Sequence, residues 1–199
     1  SMRVRTAYVK HLKALFKLMG KSATEARQDS ETVMHLETAL AKISMPKEEL
    51  RDVDKTYHKM RLPVLVKLTR NIDWNSFFKI IGAKNVREIV VMQPDFIKAV
   101  NTMLVNEPLE DWKTYLTWHV VSGVAGYLGE KFEKQNFAFY GTTLSGVKVM
   151  KPAWRRALRA VNGNLGEMLG KLYVQAYFGS EAKKKSKRIV ADLFEAYEA

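Results

Sequence analysis

Apolar positions recur every third or fourth residue along most of the chain, the period of helices with one buried face. The clearest run is Trp154, Ala157, Leu158, Val161, Leu165, Met168, Leu169 and Leu172, which predicts a long core helix. Pro152 suits its first turn, where a missing N–H removes no intrahelical bond. Gly163, Gly166 and Gly170 lie inside the run, and each costs about 1 kcal/mol relative to alanine. Either another helix approaches closely over the glycine side, or Asn162-Gly163-Asn164 breaks the run into two shorter helices.

Upstream, Tyr8, Val9, Leu12, Leu15, Phe16 and Met19 form one stripe that stops at Gly20. Val33, Leu36, Leu40 and Ile43 mark the buried side of a second helix from about Thr24, ended by Met45-Pro46. Asp52-Val53-Asp54 reads as a turn and Tyr57 to Met60 as irregular, until Pro63 opens a short helix to Leu68. Asp73 is a good N-cap for a helix from Trp74 to Ile81, closed by Gly82. The β-branched run Glu88 to Met92 is the one convincing strand. Helices carrying Phe96, Val100 and Leu104, then Trp112, Tyr115, Leu116 and His119, flank Pro108. Gly123, Gly126 and Gly129 interrupt one helix or join two. Ser180-Glu181 starts a last helix whose buried edge is Ile189, Leu193 and Tyr197. The expected fold is mostly α, a multi-helix bundle-like domain with at most a small β ribbon near residues 86–92.

Length changes little: 199 residues suffice for one substantial core, and a single helical domain over 3–199 is expected. Ser1-Met2 reads as an expression scar, so the natural address, secreted, periplasmic or cytoplasmic, stays open. No run of eighteen apolar residues occurs, so a membrane span is not expected. The absence of cysteine removes disulfides and thiolate chemistry. The formal net charge of +12 could draw nucleic acid or anionic surfaces. Direct nucleic-acid binding is nevertheless disfavoured, because the densest basic run, Lys183 to Arg188, carries no interleaved aromatic residues for base stacking.

Candidate chemistry is sparse. The histidines are His11, His35, His58 and His119, no two within twenty residues, whereas a helical zinc motif needs a pair one turn apart. Gly141-Thr142-Thr143 and Asn162-Gly163-Asn164 lack the strand and the lysine of a phosphate loop. No catalytic and no metal-ligating residue is assigned.

Two blocks carry a resemblance. Tyr57-His58-Lys59-Met60 is the first. Tyr140-Gly141-Thr142-Thr143, Trp154-Arg155-Arg156, Asn162-Gly163-Asn164 and Gly170 to Val174, which includes Tyr173, form the second. In this order they resemble the amino-terminal half of the neprilysin-like zinc metallopeptidases, a family that includes endothelin-converting enzymes and bacterial oligopeptidases. The resemblance covers about Thr6 to Glu195. It implies that the chain is part of the N-terminal helical lobe, walling a substrate chamber and restricting substrate size in a parent that cleaves short peptides. Zinc, its ligands and the substrate-gripping Asn-Ala element would belong to the C-terminal half of the same polypeptide, so no cofactor is expected here and the chain alone should be inactive. The signature residues Tyr57, Lys59, Met60, Tyr140, Gly141, Trp154, Arg155, Arg156, Asn162, Gly163, Asn164 and Tyr173 are read as structural. Ala157 stands where animal members carry a cysteine, which points to a bacterial-type member. The implied partners are the missing catalytic lobe and, in the parent, peptide substrates. An exposed apolar patch should mark the lobe's seat, or a homodimer should cover it. The competing reading is a stand-alone basic helical module that docks an acidic partner or nucleic acid.

Overall fold

The computed structural model describes residues 2–198. Among them run ten α-helices and one two-stranded sheet, so the fold is mostly α. The chain divides into two units, one up to Lys148 and one from Val149.

The first unit is built on α1 (Met2–Leu18) and α2 (Ala23–Ile43). The stripe expected on α1 is its packing face: Leu12, Leu15 and Phe16 are fully buried. Gly20 ends the turn after it at φ 92°, a conformation that favours glycine. A capping box starts α2: Glu25 N–H donates to Ser22 Oγ, and the Ser22 N–H donates back to the Glu25 carboxylate. Val33 and Leu36 then face inward. Against this pair lies α7 (Leu109–Val124), whose Trp118 completes the core formed by Leu12, Leu15, Phe16, Ala26 and Val33. Gly123, Gly126 and Gly129 join two helices. After α7 comes a 3-10 turn at Ala125–Tyr127, and Gly129 at φ 104° precedes α8 (Glu130–Asn136). A π-helical segment, Phe137–Leu144, continues from α8.

A smaller cluster gathers around the ribbon. The turn α3 (Val53–Thr56) leads to β1 (Lys59–Arg61), which pairs antiparallel with β2 (Glu88–Val90), Met60 opposite Ile89. The reading of Tyr57 to Met60 as irregular holds for Tyr57 and His58 and is corrected for Lys59 and Met60. A three-residue strand carries almost no local signal and exists only through its pairing with residues far along the chain. Between the strands lie α4 (Leu62–Leu68) and α5 (Trp74–Ile80), the latter capped by Asp73 as expected, with the Ser76 N–H donating to its carboxylate at 3.0 Å. Leu65, Phe78 and Val91 are buried, and α6 (Pro94–Asn106) follows.

The second unit holds α9 (Ala153–Tyr177) and α10 (Ser180–Glu198). The expected core helix is α9, but none of its residues is buried: Trp154 is 62% exposed, Met168 66% and Leu172 62%. The expected buried edge of α10, Ile189, Leu193 and Tyr197, is exposed too. Periodicity identifies a face that must be covered and says nothing of what covers it. Leu165, at φ −125° and ψ 19°, kinks α9 just after Asn162-Gly163-Asn164. No atom lies within 4 Å of a Cβ built on Gly163, Gly166 or Gly170. Of the two ways to accommodate these glycines, the described chain therefore shows the break and not the close approach.

Candidate functional site

The two signature blocks settle in different surroundings. Lys59 bonds Glu88 across the ribbon at 2.8 Å, and this contact raises the lysine's pKa. Met60 is half-buried opposite Ile89, and Tyr57 is exposed at the end of α3. Gly141 is fixed by Phe137, one turn earlier. A Cβ there would stand 2.5 Å from two atoms of the Phe137 ring, so only glycine fits without moving the ring.

Tyr140, its neighbour, belongs to an aromatic nest around His11. The imidazole is 1% exposed, stacks on Phe139 at 4.9 Å and meets Trp118 and Tyr140 edge-on at 5.6 and 5.5 Å. Gln135 Nε2 donates to its Nδ1 at 3.2 Å. Tyr8, beside it, donates its hydroxyl to Glu37 at 2.7 Å, and burial together with that carboxylate pushes the phenol upward in pKa. Sequence reasoning missed this nest, because His11 on its own carries no motif.

Burial holds the His11 pKa down, from 6.5 to about 4. With the folded value below the unfolded one, protons bind the unfolded chain more readily. The associated stability is complete above about pH 6.5 and is lost as the pH falls toward 4. Replacing His11 with phenylalanine should therefore remove about 3 kcal/mol of acid sensitivity between neutral pH and pH 4. Urea unfolding of both proteins across that range measures it, and parallel stability profiles would refute the assignment.

In the second unit the signature residues line α9 singly. The Arg155 guanidinium lies 5.0 Å from the Trp154 ring centroid, and Arg156 donates to the Lys151 carbonyl. Asn164 donates to the Ala160 carbonyl at 2.7 Å, within its own helix, just before the kink. Tyr173 packs on Tyr177 at 5.5 Å. Trp154, Leu158 and Val161 share one side of the helix before the kink, and Leu165, Met168 and Leu172 are spaced by three and four from the kink onward; all are exposed.

These residues do not fit a zinc centre. Among the described residues no three His, Cys, Asp or Glu side chains converge. His11 is enclosed by rings, and His35 Nε2 is engaged by Glu107 at 3.1 Å. His58 Nδ1 faces the Val91 carbonyl at 3.2 Å, and His119 packs on Tyr115. Among the described residues no set of side chains is placed for a step of metal chemistry. No helix among the described residues is long and apolar enough to cross a membrane.

Comparison with known proteins gives a consistent picture. The N-terminal region of peptidase family M13 matches residues 1–199. Endothelin-converting enzyme 1 of Mus musculus is 27% identical over 201 residues, which span 98% of this chain and 26% of that protein. Zinc metalloprotease Zmp1 of Mycobacterium tuberculosis in complex with an inhibitor superposes with a TM-score of 0.88 at 30% identity, over 98% of this chain and 30% of that one. Its open state gives 0.86, again at 30% identity, over 98% and 31%. The chain thus spans about a quarter of the length of the curated relatives it matches.

Proposed function

The chain belongs to peptidase family M13, whose N-terminal region it matches throughout, and from that membership we propose that it walls the substrate chamber of a zinc metallopeptidase. It contributes no catalytic group. Its helices close off the space in which a peptide is cut and limit substrates by size, while zinc and the reacting residues come from the rest of the parent polypeptide. The observation that carries this reading is the apolar side of α9. The side chains of Trp154, Leu158, Leu165, Met168 and Leu172 leave apolar surface of several hundred Å² open to water, at the upper end of what a self-sufficient domain exposes. Its occupant in this reading is the remainder of the same polypeptide. That Zmp1 has been solved both open and with an inhibitor fits a wall that moves against a second lobe.

The purified chain tests the division of labour. It should hold zinc far below one equivalent and cleave no short peptide; stoichiometric zinc together with turnover would overturn the proposal. Light scattering tests the occupant. A tight dimer that hides the α9 face would point to a second copy instead.

A further inference from the structure

One groove of the first unit is left unexplained by a chamber wall. It has a volume of about 730 Å³ and lies between α4 and the segment leading into β2. Four cations line it: Arg61, Lys67, Arg70 and Arg87. Among the described residues no carboxylate lines the groove and none of the four is ion-paired. The nearest acid in sequence, Glu88, is already held by Lys59 at 2.8 Å. Four uncompensated charges around one concavity repel each other and focus a positive potential into it, which an anionic occupant would relieve.

The groove is also held in shape. Leu65, fully buried, anchors α4 through its opposite face, while Pro63, Val66 and Lys67 at i, i+3 and i+4 turn toward the groove. The other wall, Val86 and Arg87, is tied on by the Leu62 N–H donating to the Arg87 carbonyl at 2.9 Å. Arg70 is carried on a fixed turn. Before it, buried Thr69 accepts from Trp74 Nε1 at 2.7 Å; after it, Asn71 donates both its backbone N–H and its side-chain amide to Asn101. A positively charged surface that is rigid before binding loses little on ordering.

We propose that this groove binds an acidic peptide segment, with carboxylates meeting the four cations and aliphatic side chains lying on Leu62, Pro63, Val66 and Val86. Charge complementarity sets the sign of the occupant. The floor decides its class: it is aliphatic and holds no aromatic ring on which a nucleic-acid base could stack. The inference stands on the groove alone and survives if the chamber reading fails.

The test uses the 199-residue chain and a fluorescent peptide alternating glutamate and valine, with its glutamine and lysine counterparts. Saturable one-to-one binding of the glutamate peptide is expected, weakening as salt is raised. The glutamine peptide should bind roughly tenfold or more weakly, and the charge-reversal pair Arg70→Glu with Arg87→Glu should cost at least about tenfold. Both arginines are exposed, so circular dichroism should be unchanged. Reversing Lys183 and Lys185 on α10 removes the same charge elsewhere and should leave binding within about twofold. Three results would each overturn the proposal: no saturable binding, equal loss from the two pairs of reversals, or tighter binding of a short single-stranded oligonucleotide than of the glutamate peptide.

Discussion

Trp118→Ala is expected to destabilise the first unit by about 3–5 kcal/mol, enough to leave much of the population unfolded at physiological temperature. The indole is 1% exposed at the meeting of α1, α2 and α7, where its ring reaches Tyr8 at 6.0 Å, His11 at 5.6 Å and Phe16 at 6.3 Å. Truncation opens a cavity against three helices that are fixed by other contacts and cannot all move in, so the lost transfer energy and the void add. Trp118→Phe keeps most of the volume and should cost markedly less. Chemical denaturation followed by far-UV circular dichroism gives both values. A loss below about 1 kcal/mol for the alanine variant would mean that the core does not depend on this junction.

The second large effect should appear in opposite directions in two settings. Changing Leu158 and Leu165 to lysine leaves the 199-residue chain about as stable as before, because both side chains already face water there, at 50% and 48% exposure. Its tendency to self-associate and to bind a hydrophobic dye should fall. In the parent polypeptide the same two changes would place charges where apolar contacts are expected. Each forfeits about 1.5–3 kcal/mol of burial before any cost of desolvating the ammonium groups. Expression of soluble, active parent should collapse. A parent that tolerates both lysines with unchanged peptidase activity would show that the α9 face is not a lobe contact.

Where the signal in the sequence was local, it was legible. Asp73 is a cap read from one residue, and Leu12, Leu15 and Phe16 state their burial by spacing alone. The capping box Ser22-x-x-Glu25 is equally local but was overlooked; it starts α2 at Ala23, one residue before the expected Thr24. What depended on distant partners was not legible. The strand at Lys59–Arg61 needs Glu88–Val90 beside it, and the four cations of the groove come together only because that pairing folds residues 61 and 87 onto each other. The α9 stripe is the instructive error: its spacing was read correctly as apolar on one side, yet burial requires a surface that the described residues do not supply. Gly141 falls between these cases. It stood out as part of a motif, but the reason for it, the Phe137 ring against its Cα, is a matter of coordinates.

The ribbon carries a liability of its own. With two strands, each has an outer edge that no further strand of the sheet covers, and to it a stranger's strand could add, the seed of sheet-like aggregates. Lys59 and Glu88 act as gatekeepers beside the apolar Met60 and Ile89, since an incoming strand would have to accommodate their paired charges. Replacing Glu88 with glutamine dissolves that pairing. Such a variant would then be more prone to fibrillar precipitation from the native fold itself.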